Sequence, residues 1–600
     1  MTAAALSFLC LFSTATLPPA AATRSGSIVW LQDGTTLAVA NLDSNTITLV
    51  GTDPFVKLDE VTVGRHPRSL AASHDGRWLF VSLAETDRVV RVDLSQRRRA
   101  GSLRVSGGPF AMVAHPQAGK LYVAAAHADV VVEIDIPSGQ IARRLSVAAA
   151  PRGMSISSDG QRLYVVDFFS GTLTIVDTAS FEVVSRIANR PDANLARSIA
   201  ITPDGRVAYL PHIRSHVTNR RLQFDTTVFP VVSRLDLVEQ LPDHTGLIAL
   251  DAIGRPANNP WDAVVSQDGR RLYVVNSGSN DVQVIDLQSG RSVAQTDVGS
   301  NPRGIVLSAD GRRAYVHNAL SNDISRIGTA SLTELRRLKL TRDRLPETIQ
   351  RGKTFFHSAR SRSMTLDRWI SCASCHPDGE SDGRTWQFAA GPRKTPSLHG
   401  AALTLPHNRS ADRDELQDTE HFIRHLMGGT GLLPGSDPPA KLGPPSAGRS
   451  KDADALAAYI ASLQPRRSPF ASETPQRRNA IARGREIFFS QRTSCARCHP
   501  PPLYTDSRLS PEPWRTHDVG TGGGPNERAG PNYDTPSLLG LFAARSYLHD
   551  GRAKTLAEVF TIHNANDRHG TTSHLNDAQI DDLVAYLLSL PAGHEKVTRN

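Results

Sequence analysis

Cysteine is scarce in this chain: five in 600 residues, and four of the five fall in two short motifs. A stabilising disulfide framework is therefore excluded. Methionine is as rare, five in all, and none follows Met427. Aromatic residues make up only 6%. Beyond the first 22 residues no stretch is apolar enough to cross a bilayer as a helix. Blocks of like charge are missing too. The net charge of +9 comes from dispersed arginine, which makes no case for nucleic acid and only a weak one for acidic small redox proteins or anionic surfaces.

What is present begins with the cysteines. Cys372, Cys375 and His376 form one Cys-x-x-Cys-His motif, and Cys495, Cys498 and His499 form a second. In each, two thiols are spaced for thioether bonds to the two vinyl groups of one haem, and the adjoining imidazole is placed for its iron. A zinc site built from both pairs would leave the Cys-His junction unexplained twice, and a thioredoxin-like pair needs a βαβ context that neither copy has. Two covalently bound haems c are expected, with redox chemistry.

Residues 1–22 read as a cleaved secretory signal. The run Ala3–Leu17 is too short to span a membrane, and Pro18-Pro19-Ala20-Ala21-Ala22 ends in an Ala-x-Ala pattern. No Lys or Arg precedes Arg24, a departure from the usual basic start. Cys10 follows Phe8-Leu9, which are larger than a lipid-attachment site carries. Export to the periplasm agrees with the motifs, because bacterial c-type attachment takes place outside the cytoplasm.

Six hundred residues exceed one hydrophobic core, so several domains are expected. From Ile28 to Leu340 a unit of about 42 residues repeats, marked by the turn glycines Gly34, Gly76, Gly119, Gly160, Gly205, Gly269 and Gly311. Asp precedes Gly in six of the seven, as a tight turn with positive φ requires. "PRGMSISSDGQRLYVV" at Pro151–Val166 and "PRGIVLSADGRRAYV" from Pro302 show the unit. Four strands at this period form one propeller blade. Residues 23–340 thus predict an all-β seven-bladed propeller, with six or eight blades as the alternative counts, and the repeats resemble the YVTN-type propellers. Within the repeat, His212 and His317 follow central strands and stand as channel-lining candidates, with packing the expected role. One interval holds about 22 extra residues within His212–Ile253, including Arg214, Arg220 and Arg221. It reads as a tolerated surface insertion, with a loop reaching over the haem domains as the alternative.

Beyond Leu340 helical patterns replace the alternation, and the chain duplicates itself. The first copy covers 341–465 and the second 476–600. Each has an Arg-Gly-x-x-x-Phe helix before its motif, Thr-Pro-Ser-Leu after it (Thr395–Leu398, Thr535–Leu538) and a closing amphipathic helix (Ala453–Leu463, Ile580–Leu590). Two mainly α cytochrome c domains are expected.

This order, with "SCASCH", "RKTPSLHG", "CARCHPPPLYTD" and "YLHDGRAKTLAEV", resembles the dihaem cytochrome c peroxidase family that includes the MauG enzymes. The resemblance implies one electron-relay haem and one that reduces peroxide or reaches a high-valent state. It further implies a small redox protein or protein substrate as partner, and in many members a calcium ion between the domains. The relay haem of that family usually has a Met where Leu548 stands here, so the second domain lacks its own His/Met iron. If a two-residue gap is allowed, His407 and His549 occupy matching places after Gly400 and Gly540, and are the distal-ligand candidates. His399, His421, His425 and Met427 compete in the first copy; His517, His563, His569 and His574 compete in the second. A carboxylate base for peroxide cleavage is sought in "DRDELQDTEHF", at Glu415, Asp418 or Glu420, and Trp386 is a candidate to pass electrons between haems. The functions in contention are a peroxidase-like or MauG-like oxidoreductase with the propeller as docking platform, a non-catalytic electron carrier, and a propeller binding module with a tethered haem relay.

Overall fold

The computed structural model describes residues 23–591, except 220–222, 225, 251–253, 436–441, 472–473, 508–515 and 525. The signal reading, Cys10, Arg220 and Arg221 lie outside the described residues.

Seven antiparallel sheets follow one another along the chain at 28–62, 67–104, 109–146, 151–187, 193–249, 260–297 and 302–339. These are the seven blades. Inner strands such as Arg162–Asp167, "RLYVVD", are buried on both faces because neighbouring blades pack on each side. Ile156, Leu163 and Val165 of blade 4, for example, lie against Tyr122 and Val131 of blade 3. Outer strands alternate instead: Gln140–Ser146 exposes every second residue. The Asp-Gly turns form as expected, with Gly160 at φ 76° and the Asp159 carboxylate accepting from the Gln161 N–H at 2.9 Å.

Blades 1 and 7 each complete their own sheet, so the ring closes by packing of Ile28 on Tyr315 and Leu340 rather than by exchanging a strand. The chain's start takes another route. Thr23–Arg24 pairs with the innermost strand of blade 4, and Arg24 bonds to Asp262 of blade 6. The first described residues therefore thread the central channel.

At the start of six inner strands the chain makes one repeated distortion. His66, Gly108, Ala150, Leu195, Asn259 and Asn301 all have φ between 53° and 67°. In five of these strands the pairing register shifts just after the following proline. Such a bulge re-aims one side chain, and here the re-aimed residues are Arg68, Phe110, Arg152, Trp261 and Arg303, with Arg197 in the equivalent place on blade 5. They form a ring at one mouth of the channel.

The two helical domains share a crossing. Helix Glu347–His357 packs on Lys451–Ser462 at Gly352, where an added Cβ would stand 1.9 Å from the Ala455 carbonyl oxygen. Helix Pro475–Phe489 packs on Asp577–Leu588 at Gly484, 1.9 Å from that of Asp582. The first domain's core is continuous with the propeller: Phe356, Trp386 and Tyr459 pack with Phe168, Leu195, Ile213 and Val228. The surface-insertion expectation for 212–253 is corrected accordingly. Blade 5's long hairpin reaches over the first helical domain, where Phe224 meets Trp369 at 6.2 Å between ring centres and the Gln387 N–H donates to Val217 O at 3.1 Å. His212 is buried against Ser233, while His317 does border the channel, bonded to Ser27 at 2.8 Å.

Substituting Gly484→Ala is expected to destabilise the second helical domain by about 1–3 kcal/mol through overpacking of the crossing. A lowered thermal midpoint for that domain checks it; an unchanged midpoint would refute the close approach.

Candidate haem centres

The first motif is bolted to the propeller. Asn258, on the loop entering blade 6, donates through Nδ2 to the Trp369 carbonyl at 2.8 Å and to Ser374 Oγ at 3.0 Å. Its neighbour Asn259 donates to Ser371 Oγ at 3.1 Å. The backbone around Cys372 and Cys375 is thereby held from outside its own domain. His376 Nδ1 lies 3.0 Å from the Pro396 carbonyl. A carbonyl only accepts, so Nδ1 carries the proton and Nε2 keeps its lone pair for a metal. At the second motif His499 Nδ1 lies 3.0 Å from the Tyr504 carbonyl, with the same consequence. None of the four motif cysteines is in a disulfide. Two thiols, a fixed imidazole and an apolar surround at each motif fit a covalently bound haem.

The histidine opposite His499 is not the one expected. His569 has its ring centre 6.4 Å from that of His499. Two imidazoles on one metal, each bonded at about 2 Å with the ring centre roughly 1 Å further back, come to about that separation. His569 Nδ1 is buried and unbonded, and burial with His499 nearby lowers the ring to about 4. His549, in contrast, faces the boundary between the helical domains. It stacks on Tyr533 at 4.4 Å, with Nε2 at 3.3 Å from both Tyr533 Oη and Glu527.

The proposed match of His407 with His549 fails on backbone grounds. His407 pairs with Arg413 in an isolated bridge, and Tyr547 pairs with Ala553 in its twin. The next residues, Asn408 and Leu548, share a left-handed conformation at φ 73° and 68°. No gap is needed: Tyr547 corresponds to His407 and Arg409 to His549. His407 keeps a buried, unbonded Nε2 and is lowered to about 4 by burial alone. Met427 is buried in the first domain's core, in the cluster that Cys372 and Cys375 border, so it belongs to that domain.

The expected bases Glu415 and Glu420 are engaged elsewhere. Glu415 accepts from the N–H groups of Ser446 and Ala447. Glu420 accepts from Arg424, Leu432 N–H and Leu433 N–H. Both hold loops in place. Asp418 differs: its buried Oδ2 has no bonded partner, and desolvation with Asp414 and Glu415 nearby raises it to about 6. Trp386 sits deep in the first domain with its Nε1–H donated to Asp382 at 2.9 Å. Its hairpin, Thr385–Phe388 with Gly391–Lys394, reaches the second domain, where Arg393 pairs with Glu527 at 2.6 Å and the Lys394 N–H donates to His549 O at 2.8 Å.

Among the described residues the one trio of metal-ligand types is Cys498, Asp506 and His517. It does not suit calcium, which takes oxygen ligands, and Cys498 belongs to the haem motif. It does place the "THDVGTG" loop beside the second motif, with His517 Nδ1 4.0 Å from Cys498 Sγ.

Immediately after the first motif, the turn Pro377–Gly379 carries two carboxylates into the ring of arginines. Asp378 bonds to Arg68 at 2.8 Å and Arg303 at 2.7 Å. Glu380 bonds to Arg152 and Arg466, with His127 at 3.4 Å. Desolvation opposes both charges, yet the surrounding arginines hold both carboxyls well below the usual range. Phe110 and Trp261 alternate with the guanidinium groups, which lie 4.2–4.9 Å from their ring centres. Sequence reasoning missed this cluster; the recurring Pro-Arg at Pro67, Pro151 and Pro302 was its signal.

Residues 481–591 match the family model for Cytochrome c. A curated relative, hydrazine synthase subunit gamma of Kuenenia stuttgartiensis, is 29% identical over 297 residues, 41% of this chain and 78% of that protein. Among solved structures, Kuenenia stuttgartiensis hydrazine synthase aligns at 22% identity and a TM-score of 0.47, over 54% of this chain and 99% of that one. Dihydro-haem d1 dehydrogenase NirN in complex with DHE aligns at 18% identity and 0.38, over 53% of this chain and 66% of that one. The cytochrome c match means that the chain carries covalently bound haem c.

Replacing Glu380 by glutamine strands Arg152 and Arg466, and is expected to cost about 3–5 kcal/mol. A carboxyl depressed by folding contributes stability above its ordinary value near 4.5 and loses it as pH falls below. Thermal midpoints of wild type and Glu380→Gln should therefore differ at neutral pH and converge on acidification; a constant difference would contradict the assignment.

Proposed function

We propose that this chain is an exported dihaem c-type cytochrome that passes electrons from a small acidic redox protein, through the second domain, to a first haem centre enclosed against the propeller. The peroxidase-like or MauG-like oxidoreductase reading applies to that first centre. Haem bound at each motif supplies a one-electron iron couple; the chain's residues decide which end is entry and which is terminus.

One observation carries the reading: the paired imidazoles of His499 and His569 at 6.4 Å. His499 and His569 would hold a haem iron between them, and an iron so held would relay electrons with no open position for substrate. The Trp386 hairpin then bridges the two helical domains, and in the first of them Asp418 is the acid or base with an oxygen to spare. Similarity to a hydrazine synthase subunit supports haem redox chemistry. Entry through the second domain is supported by exposure, since Arg492 and Arg497 flank its motif in solvent while Ser371, Ala373 and Ser374 are buried at the first.

The non-catalytic carrier reading is favoured by the engagement of both Glu415 and Glu420 in loop anchoring. The propeller as a docking platform is better read as the seat of the chain's own haem domain, because its arginine-lined mouth is covered by Asp378 and Glu380. No helix among the described residues is long and apolar enough to cross a membrane.

Ferric-state EPR tests the relay. Wild type should show a low-spin signal from the second haem that His569→Ala converts to high spin and His549→Ala leaves in place; an unchanged His569→Ala spectrum would sink the assignment. Peroxide-dependent oxidation of a reduced cytochrome then separates enzyme from carrier. For the docking end, Arg492→Glu with Arg497→Glu should slow reduction by an acidic donor about tenfold at low salt and leave little difference at high salt. Equal rates at low salt would exclude that face.

A further inference from the structure

Two segments enter the propeller's channel from opposite faces. Thr23–Ser27 fills it from one face, with Ser25 N–H bonded to Met154 O at 2.8 Å. The Asp378–Glu380 turn covers the other. Between them lies a cavity of about 60 Å³, bordered by Arg68, Arg152, Arg197, Ser198, Arg303 and His317. A single buried water needs about 10–15 Å³ on the same measure.

The charges around this cavity do not balance. Asp378 is shared by Arg68 and Arg303, Glu380 by Arg152 and Arg466, and Asp262 is taken by Arg24. No carboxylate bonds to Arg197; Asp378 and Glu380 act on it only at longer range, while the other arginines repel it. It is 5% exposed, and its Nη1 donates to the carbonyl of its own neighbour Leu195 at 3.1 Å. The rings of Trp261 at 4.4 Å and Phe168 at 5.3 Å shield its charge without cancelling it. His317 cannot help, since burial and Arg303 lower it to about 3 and leave it neutral. Burial also lowers Arg197, to about 9, still well above neutral pH.

The unsatisfied polar groups agree in sign. Ser198 Oγ, Arg68 Nε and Arg152 Nε are buried without a bonded partner. Each can donate, and no carboxylate at the cavity is free to receive them. A buried cation with spare donors around a polar void is stabilised by an anion, whereas another cation would add to the imbalance.

We propose that the central channel binds one small inorganic anion, of the chloride, nitrate or phosphate class, held by Arg197 and Ser198 beneath the post-motif turn. It completes the ionic seat of the first haem domain and is trapped when the chain closes over it. The site is independent of what the haems do.

Release on unfolding tests this with the whole mature protein. Wild type is dialysed exhaustively against a buffer whose only anion is a bulky organic sulfonate, then unfolded in urea, and the released ions are measured by ion chromatography. The expected result is a stoichiometric quantity of one small inorganic anion per chain, reduced at least tenfold in Arg197→Met. Ser198→Ala, which removes a hydroxyl and no charge, should retain the fold and release less than wild type. Release from wild type no greater than from the buffer blank would overturn the proposal, as would a crystal structure showing a haem propionate at Arg197.

Discussion

The rest of the structure depends on one buried contact: two carboxylates on a turn after the first haem motif, set into a ring of arginines that four blades contribute. Buried ion pairs stabilise little in net terms, because desolvation offsets most of the Coulomb attraction. Their strength here is selectivity. Only one placement of the helical domain gives Asp378 and Glu380 their partners, and any other leaves several buried guanidinium groups unpaired. The shared apolar core around Phe168, Trp386 and Tyr459 then stabilises the placement the charges select. Lys353 paired with Asp43, and Arg360 with Asp297, extend the contact to blades 1 and 6.

That docking breaks the symmetry of the duplication. Both helical domains keep the same glycine crossing, a backbone carbonyl on Nδ1 of the motif histidine (Pro396 in one, Tyr504 in the other) and the same left-handed residue at Asn408 and Leu548. Their surroundings differ. Asn258, Asn259 and Phe224 cover the first motif, whereas the second domain meets the propeller through Arg545 on Asp129 and Phe169 and through Phe542 on His127. Two motifs of common design thus acquire an enclosed and an accessible setting from what is packed against them.

Much of this was legible beforehand. Haem attachment is read from five consecutive residues because the thioether spacing is a local matter. The blades were countable because each carries its own turn glycine, six of the seven after Asp, and the one unit lacking Asp, at Gly119, is also the one turn glycine without positive φ. The imidazole facing His499 was less accessible. His569 and His499 lie 70 residues apart on separate loops, and no spacing rule links them. The gapped match of His407 to His549 was wrong because the two bridges align the backbone without a gap. Glu415 and Glu420 looked like free carboxylates, and only the fold of their loop shows which amides they hold.

The linear chain by itself determined the seven-bladed ring, the helical second half and the two Cys-x-x-Cys-His motifs, since each follows from short-range periodicity or from the spacing of near neighbours. Tertiary structure alone decided which imidazole stands across from His499, which motif is enclosed, and that Arg68, Arg152, Arg197 and Arg303 meet at one mouth. Those arginines are separated by whole blades in sequence, and they become neighbours only when the ring closes and the bulge after each turn points them to a common axis.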